Sequence, residues 1–406
     1  TPNSIICSPS GELFIFGITS SSNFPLAGAS FSTSNSGGPN VATSGNGLGF
    51  SEGNDLYVTR LSADGTTLIA STYVGGTDND GLNTSNLSYN YGDQFRGEID
   101  LDENGDVYVA SMTNSLDFPT TGGPSLSGTQ DAVVFKMPPG LNSMIWSRFI
   151  GGSNLETGNS VHVSSVGEVY VAGGTTSSNM PFSIGHDLLF NGGLSDGYLV
   201  RLNGSTGNVL SGTYMGENEY DQTYFVEVDL DDNIYVFGQS ESDLGITPGL
   251  YGTANSGQFI NKYSTDLITQ EWKTMIGAGT GHVEISPTAF LISDCQDIYI
   301  SGWGGTTNQN GGQASFSTVS GFEVFGDPYQ PTTDGSNFYI AVLAEDASYL
   351  KYGTFMGGFS NSADHVDGGT SRFDKSGRIY HAVCASCGET NGFTVTPGAW
   401  AGTNLS

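Results

Sequence analysis

The sequence predicts an all-β protein, a β-propeller of four-stranded antiparallel blades. A short apolar strand centred on an aromatic residue recurs six times, at Phe14, Tyr108, Tyr170, Tyr235, Tyr299 and Tyr380. Three of the five successive intervals are close to about 64 positions and the other two are longer, as a repeat with loop insertions would give. Residues 169–173 (VYVAG) are apolar at both odd and even positions, as expected for a strand that is covered on both faces.

Composition supports the same fold class. Glycine contributes 60 of the 406 residues, about twice its usual share of ~7%, and charged residues are only 13%. The 23 Phe and 19 Tyr are enough for a core, so the chain is expected to fold. Without any long helical periodicity, these features indicate short strands joined by many turns.

Each unit contains four strand patterns. The first precedes a polar turn, as at residues 98–102, 160–164 and 225–229, and the aromatic-centred strand follows it. The third pattern has Arg or Lys near its end in four of its five copies, which are residues 55–61, 131–137, 196–202, 258–263 and 337–343. The fourth ends in glycine. A repeated basic residue in an acidic protein predicts one structural ion pair per unit.

The repeats divide residues 1–406 into six units of a single predicted propeller domain. Five are complete (approximately 1–80, 95–155, 158–218, 222–280 and 283–360), and the sixth, 366–406, is partial. Thr1 falls just before a repeat and Ser406 falls within one, so both ends are expected to be limits of an excerpt. A blade buries its faces against its neighbours, so one blade should not be stable alone.

The charge excludes some classes of partner. Lys and Arg number 11 against 41 Asp and Glu, a net charge of −30, which repels phosphate backbones and predicts no binding to nucleic acid. No apolar run approaches the roughly 18 residues of a membrane span, so no direct membrane insertion is expected in this segment.

The strongest metal-binding pattern is Asp100, Asp102 and Asn104, which is followed by Gly105 like the first half of an EF-hand loop. The twelfth position is Ser111 and not Glu, so these side chains could instead cap backbone amides in a turn. No cofactor is established by the sequence, and calcium is the one candidate. Acidic residues also recur in the loops after the fourth strands, at Asp78, Asp80, Glu217, Glu219, Asp221, Asp364 and Asp367. They could bind calcium or pin the turns between blades.

Cys384 and Cys387 form a CxxC motif. Zinc needs about four ligands and a redox motif needs a helix after the first cysteine, and neither requirement is met. A structural disulfide is predicted, either between these two cysteines or with Cys295 or a cysteine beyond Ser406.

Three Gly-, Ser-, Thr- and Asn-rich segments interrupt the period: residues 27–54, 76–94 and 304–336. Long loops on a rigid body often bind ligands, although sequence drift at turns that tolerate insertions explains these segments equally well. His162 alternates with valines and is interpreted as a packed residue. We find no HExxH, Gly-x-Ser-x-Gly or phosphate-loop motif, so the sequence predicts that the chain is not an enzyme.

The motifs VYVAG, DFPTT (117–121), DAVVFKM (131–137) and STYVGG (71–76) resemble the SBBP (seven-bladed β-propeller) repeat. Residues 294–305 and 380–388 are similar to the propeller region of very large Bacteroidetes surface proteins. This resemblance implies a secreted, cell-surface protein of the gliding-motility type that uses type IX secretion. It transfers no catalytic residue.

Two functions follow as expectations. The first is a non-catalytic module of a cell-surface adhesin or appendage protein, with other subunits or surface glycans as partners. The alternative is a carbohydrate-binding or carbohydrate-active propeller, which requires two carboxyls about 5–9.5 Å apart in an aromatic-lined pocket of the channel.

Overall fold

The computed structural model describes residues 1–42, 49–359, 364–366, 371–385, 393 and 395–400. Its main strands form five four-stranded antiparallel sheets, each built from strands in sequence order. These are the five blades of a propeller, which confirms the predicted all-β class. No helix among the described residues is long and apolar enough to cross a membrane.

The blades follow one another along the chain, and each is ordered from the propeller axis outwards. Blade one has β1 (Pro2–Cys7), β2 (Leu13–Thr19), β5 (Asp55–Leu61) and β6 (Leu68–Val74), with the short pair β3 (Val41–Ala42) and β4 (Gly49–Phe50) inserted. Blade two has β7 (Glu98–Leu101), β8 (Val107–Thr113), β9 (Asp131–Met137) and β10 (Trp146–Ile150). Blade three has β11 (Ser160–Val163), β12 (Val169–Thr175), β13 (Asp196–Leu202) and β14 (Val209–Met215).

The last two complete blades have the same plan. Blade four has β15 (Asp221–Val228), β16 (Ile234–Ser240), β17 (Gln258–Tyr263) and β18 (Gln270–Ile276). Blade five has β19 (Ser286–Ile292), β20 (Ile298–Trp303), β21 (Phe338–Leu343) and β22 (Leu350–Met356), with the short helix α1 (Thr306–Gly311) in its insertion. Two 3-10 turns, Asp93–Phe95 and Glu345–Ala347, complete the helical content of the described residues, together with α1.

The aromatic-centred strands are buried on both faces because neighbouring blades cover them. Every residue of β8, β12 and β16 is buried. Val107 and Val109 pack against blade one, whereas Tyr108 packs against blade three. Tyr170 likewise faces blade four, and Tyr235 faces blade five. Apolar residues therefore occupy both odd and even positions because the blades stack on both faces of the strand, and not because the sheet is parallel.

The predicted ion pairs are present in the four units that carry the basic residue. In each, that residue lies opposite the central aromatic residue of the second strand. The pairs are Arg60–Glu12 (2.7 Å), Lys136–Asp102 (3.1 Å), Arg201–Glu168 (2.6 Å) and Lys262–Asp346 (2.9 Å). In blade five, Val342 stands opposite Tyr299. The recurrence of this pair accounts for four of the 11 Lys and Arg residues.

The predicted partial sixth blade is not shown. The described residues of that unit form only a two-stranded pair, β23 (Arg372–Phe373) and β24 (Ile379–Tyr380). β23 lies against β19, and Phe373 packs with Leu291 and Tyr299 on the open face of blade five. This hairpin therefore covers the innermost part of blade five.

Candidate functional site in the central channel

The innermost strands of successive blades contact one another around the propeller axis, as β1 with β7, β7 with β11, β11 with β15 and β15 with β19. The residue eight positions before each central aromatic residue lines one cavity of about 600 Å³. These six residues are Ile6, Asp100, His162, Glu227, Leu291 and Arg372. Apolar and aromatic side chains complete its wall: Ile5, Leu13, Phe373 and Tyr380. Repetition thus brings three ionisable side chains of neighbouring blades, with Arg372, to one level of the channel.

Two carboxylates flank one histidine in this cavity. His162 Nδ1 lies 3.8 Å from Asp100 Oδ2 and 3.7 Å from Glu227 Oε2. Because both oxygens are measured from the same nitrogen, the gap between them cannot exceed the sum of these two distances. The side chains of Asp100 and Glu227 are each 12% exposed, and that of His162 is 23% exposed, so all three are accessible from the cavity.

The two carboxylates have different surroundings. Asp100 is held in place by backbone hydrogen bonds from Val163 N (2.9 Å) in blade three and from Leu101 N (2.8 Å). Burial raises the pKa of Glu227 to about 7, and the neighbouring His162 and Lys375 side chains limit the rise. At neutral pH, Glu227 therefore holds a proton in a substantial fraction of molecules and can donate it.

Arg372 connects the cavity to the deeper part of the channel. Its Nη2 lies 2.9 Å from Glu98 Oε1 and also donates to Ile99 O (2.9 Å) and Ser4 Oγ (3.0 Å). The other oxygen of Glu98 accepts a hydrogen bond from Ser160 Oγ. Burial raises the pKa of Glu98, and the Arg372 guanidinium opposes this rise. Arg372 is thus paired with a buried carboxyl at the base of the cavity.

A segment of the loop after blade one closes the channel at the opposite end from the cavity. We call residues 79–96 the plug. Asn90 is fully buried, and its Nδ2 lies 2.8 Å from both Tyr224 OH and Gln239 Oε1 in blade four. Arg96 donates to Ser286 Oγ (3.1 Å) at the start of blade five. The chain therefore crosses the axis from blade one to blades four and five before it returns to β7.

The plug is fixed by further polar and aromatic contacts. Tyr224 OH donates to Asp93 Oδ2 (2.7 Å), and Arg96 Nε lies 2.9 Å from Asp93 Oδ1. Tyr89 stacks on Tyr220 with a centroid separation of 3.5 Å. The insertion of blade five also contributes, since Asn308 Nδ2 donates to the side-chain oxygen of Asn90 (3.1 Å). Two of the three long segments, which sequence reasoning treated as ligand-binding candidates or drift, therefore help to close the channel.

The recurring acidic residues after the fourth strands form buried contacts between blades. In each case a backbone N–H near the closing glycine donates to the carboxylate: Gly76 to Asp80, Gly152 to Glu156, Glu217 to Asp221, Ala278 to Glu284 and Gly358 to Asp364. These contacts agree with the pinning interpretation. Asp78, Glu217 and Glu219 do not accept them, and Asp367 lies outside the described residues.

In the first three blades, the pinning carboxylate meets a second carboxylate at the start of the third strand. The pairs are Asp55 with Asp80, Asp131 with Glu156 and Asp196 with Asp221. A Cβ at Gly75 would lie 2.6 Å from Asp55 Cγ and 2.7 Å from Asp80 Oδ2, so only glycine fits between them. In blades four and five the second position holds a neutral amide, Gln258 or Asn337.

Burial raises the pKa values of these paired carboxyls. The pKa is raised to about 8 for Asp80 and Asp221, to about 7 for Glu156 and Asp196, and to about 6 for Asp55. Two carboxylates in one buried site cannot both be charged without a large penalty. The pairs therefore retain protons near neutral pH.

The residues of the predicted calcium site do not converge. Asp100 points into the channel, whereas Asp102 accepts hydrogen bonds from Asn104 N (2.9 Å) and Asp106 N (3.0 Å) and pairs with Lys136. No group of three or more His, Cys, Asp or Glu side chains in the described part of the chain is arranged to hold a metal ion. The geometry gives the calcium prediction no support, and it favours the turn-capping alternative for Asp102.

Cys384 is disulfide-bonded, whereas Cys7 and Cys295 are free and exposed. Cys387 lies outside the described residues, so its pairing with Cys384 remains a prediction.

Sequence reasoning did not identify the channel site. It interpreted His162 as a packed residue and considered Asp100 only as a calcium ligand, while Glu227 was not singled out. The signal was present in the repeat, because all three residues lie eight positions before a central tyrosine. Across the units, the position eight residues before the central aromatic residue holds two acids, a histidine and an arginine, and it lies on the strand nearest the axis.

Comparisons with known proteins do not show a family. No family model matches the chain, and no curated protein matches it significantly. The resemblance to the SBBP repeat and the link to type IX secretion are therefore not shown. Similar solved structures include a protein of unknown function from Dyadobacter fermentans, with 12% identity, a TM-score of 0.44, and coverage of 92% of this chain and 88% of that one.

Two enzymes are also among the similar structures. An ulvan lyase, a polysaccharide lyase, has 10% identity and a TM-score of 0.43, with coverage of 92% of this chain and 73% of that one. A Hadza microbial sialidase has 8% identity and a TM-score of 0.41, with coverage of 92% and 60%. These neighbours contradict the expectation that the chain is not an enzyme, and that expectation is corrected accordingly. At such identities and TM-scores their activities are not transferred, and the chain is not assigned to a family.

Proposed function

We propose that the chain is a carbohydrate-active propeller that binds a glycan in the channel cavity and hydrolyses a glycosidic bond. The observation that carries the proposal is the placement of Asp100 and Glu227 on either side of His162, each with an oxygen within 3.8 Å of its Nδ1. The sum of the two distances is the upper limit of the gap between the two oxygens, and it is below the limit of about 9.5 Å for the carboxyl groups of glycosidases. The cavity also has the volume of a small-ligand site, and Tyr380 and Phe373 line it.

The different surroundings of the two carboxyls suggest their roles. Glu227, whose pKa is raised to about 7, donates its proton to the glycosidic oxygen as the bond from that oxygen to the anomeric carbon breaks. Asp100 accepts a proton from the water molecule whose oxygen forms the new bond to the same carbon. One water is consumed, and the two carboxyls then return to their starting states by exchange of one proton. His162 comes from the blade between theirs, and direct attack of water on the anomeric carbon gives inversion of configuration.

The charge of the protein favours an uncharged glycan. With a net charge of −30, the surface repels sulfated and uronic acid polysaccharides. Arg372 offers little compensation in the cavity, because its guanidinium is already engaged by Glu98, Ile99 and Ser4. We therefore expect neutral sugars to bind in preference to acidic ones.

The test is a screen of neutral polysaccharides for reducing-sugar release and binding, with the product configuration followed by NMR. Glu227→Gln and Asp100→Asn should each lower turnover by about 100-fold or more while the melting temperature is retained. Glu219→Gln, at an exposed position outside the cavity, is the matched control. If no polysaccharide in the panel is bound or hydrolysed, the proposed function is wrong. Hydrolysis with retention of the anomeric configuration would reject only the role given to Asp100.

An extracellular, cell-surface location remains a proposal, supported by the resemblance of the repeat motifs to those of large surface proteins. Surface glycans and other subunits of a surface assembly are the partners that such a location would supply. A role of the parent protein in adhesion rests on the same resemblance. Labelling of intact cells with an antibody against the propeller tests the location, since an intracellular protein would stay unlabelled.

A further inference from the structure

The channel cavity has a mouth at one face of the propeller and is closed at the other. The mouth is lined by residues at or near the turns between first and second strands, which include Cys7, Leu13, Asp374 and Lys375. The plug crosses the axis at the opposite face, where the first strands begin. A ligand in this cavity therefore has one direction of entry.

The closed end is a built part of the fold. Asn90 and Asp93 of the plug are fully buried, and Arg96 is 5% exposed. The Arg96 guanidinium lies 4.7 Å from the centre of the Tyr224 ring and also bonds to Asp93. Buried polar groups that are bonded to one another, as Asn90, Asp93 and Arg96 are to their partners, are costly to separate. The plug therefore does not open to let a polymer pass through the channel.

Between the plug and the cavity lies a second obstruction, formed by Glu98, Arg372 and Ser160. Glu98 is bonded on both carboxylate oxygens, and its partners come from blade three and from the last hairpin. This layer forms the base of the cavity and sets its depth. Asp100 and Glu227 lie at the level of Arg372, near the blind end.

We propose that the site accepts the end of a neutral glycan chain and not its interior. A polymer bound through its middle must leave the site in two directions, and a cavity with one mouth allows only one. The terminal sugar would reach the carboxylates, while the next sugars lie along the mouth beside Tyr380. This inference rests on the proposed function and adds its mode of substrate recognition.

The test measures how binding to the wild-type protein depends on the length of the glycan and on whether the glycan has a free end. The probes are linear β-1,3-glucan, β-1,4-glucan, β-1,4-xylan and α-1,4-glucan hexaoses, long polymers of each, and cyclic β-glucan and cyclodextrin. Binding is measured by calorimetry and products by chromatography. For the sugar that binds, a chain-end site predicts a dissociation constant per chain that is the same, within about twofold, for hexaose and polymer. The cyclic form should bind at least about tenfold more weakly.

The outcomes separate this inference from the proposed function. If affinity per chain rises in proportion to length, or a cyclic glucan binds as well as its linear hexaose, glycan binding stands and the chain-end inference fails. Early release of mixed long fragments would also reject it, because a chain-end site releases short products from the start. If no probe binds or is cleaved, the proposed function itself fails.

Discussion

Arg372 Nη2 lies 2.9 Å from Glu98 Oε1, and this contact ties the last described hairpin to the second blade across the base of the channel cavity. Glu98 is 5% exposed, so it depends on this cation and on Ser160 to hold a charge. The contact thus joins two parts of the chain that lie on either side of blade one, and it also sets the depth of the candidate site.

We expect Arg372→Met to destabilise the propeller by about 3 kcal/mol, because it leaves the Glu98 carboxylate buried without its cation. Combination with Glu98→Gln should recover a large part of this loss, since the amide needs no counter-charge. Urea denaturation of the single and double variants measures both effects. Lys351→Met is the control, because its pair with Asp297 is exposed and worth about 0–1 kcal/mol. If the loss of unfolding free energy in the double variant equals the sum of the losses in the two single variants, Arg372 and Glu98 are not coupled.

Tyr235→Asp should unfold the propeller or cost at least about 4 kcal/mol, because it removes a buried ring and places a charge between blades four and five. Tyr380 occupies the same position of its repeat but is 59% exposed, so Tyr380→Asp should leave the melting temperature nearly unchanged. Circular-dichroism melts compare the two. Equal melting temperatures for Tyr235→Asp and the wild type would exclude a core role for this residue.

The stability of the propeller should fall as pH rises from about 5 to about 9. The folded-state pKa values of Asp80, Asp221, Glu156 and Asp196 lie at about 7 to 8, above the ~4 of an unfolded carboxyl, so the folded state binds more protons in this range. The stabilisation is complete below the unfolded pKa and is lost as pH passes the folded values. Thermal melts across this range measure the slope.

A variant isolates the paired carboxyls from the general repulsion of an acidic protein. Asp196→Asn copies the amide found at this position in blade five, and it should flatten the pH dependence and raise the melting temperature at pH 8 relative to the wild type. Asp64→Asn removes the same charge at an exposed turn and should leave the slope unchanged. Equal slopes for the wild type and Asp196→Asn would show that the pair holds no extra proton.

Hydrolysis by the channel site should decline as pH rises above about 7, because Glu227 must carry the proton that it donates. The pH dependence of kcat/KM on a substrate found in the screen measures this limb. Glu227→Gln should lower the activity by about 100-fold or more and remove this alkaline limb, whereas Glu219→Gln should keep the wild-type profile. An alkaline limb that is unchanged when Glu227 is replaced would assign the proton donor to another group.

The sequence predicts structural features that arise from strands neighbouring one another within one repeat unit. The blades followed from the regular recurrence of the aromatic-centred strand, and the ion pairs of four units followed from the basic residue repeated in the third strand. The position of that basic residue is decided by strand pairing within a blade, so Tyr108 and Lys136 meet because adjacent strands must pair in register. The pinning role of residues such as Asp80 was one of two interpretations, since a recurring acid in a turn has the same pattern whether it binds a cation or a backbone amide.

The features around the axis required the tertiary structure. Asp100, His162 and Glu227 belong to three different blades, and each looks like an isolated residue within its own strand. They meet only because blade stacking brings the innermost strands around one channel at the same height. The plug is likewise invisible in a polar, tyrosine-containing loop, because its partners Tyr224, Gln239 and Ser286 lie in blades four and five. The sequence by itself determined how each blade is built, and the closure of the blades around an axis decided which side chains face the cavity and which end of it stays open.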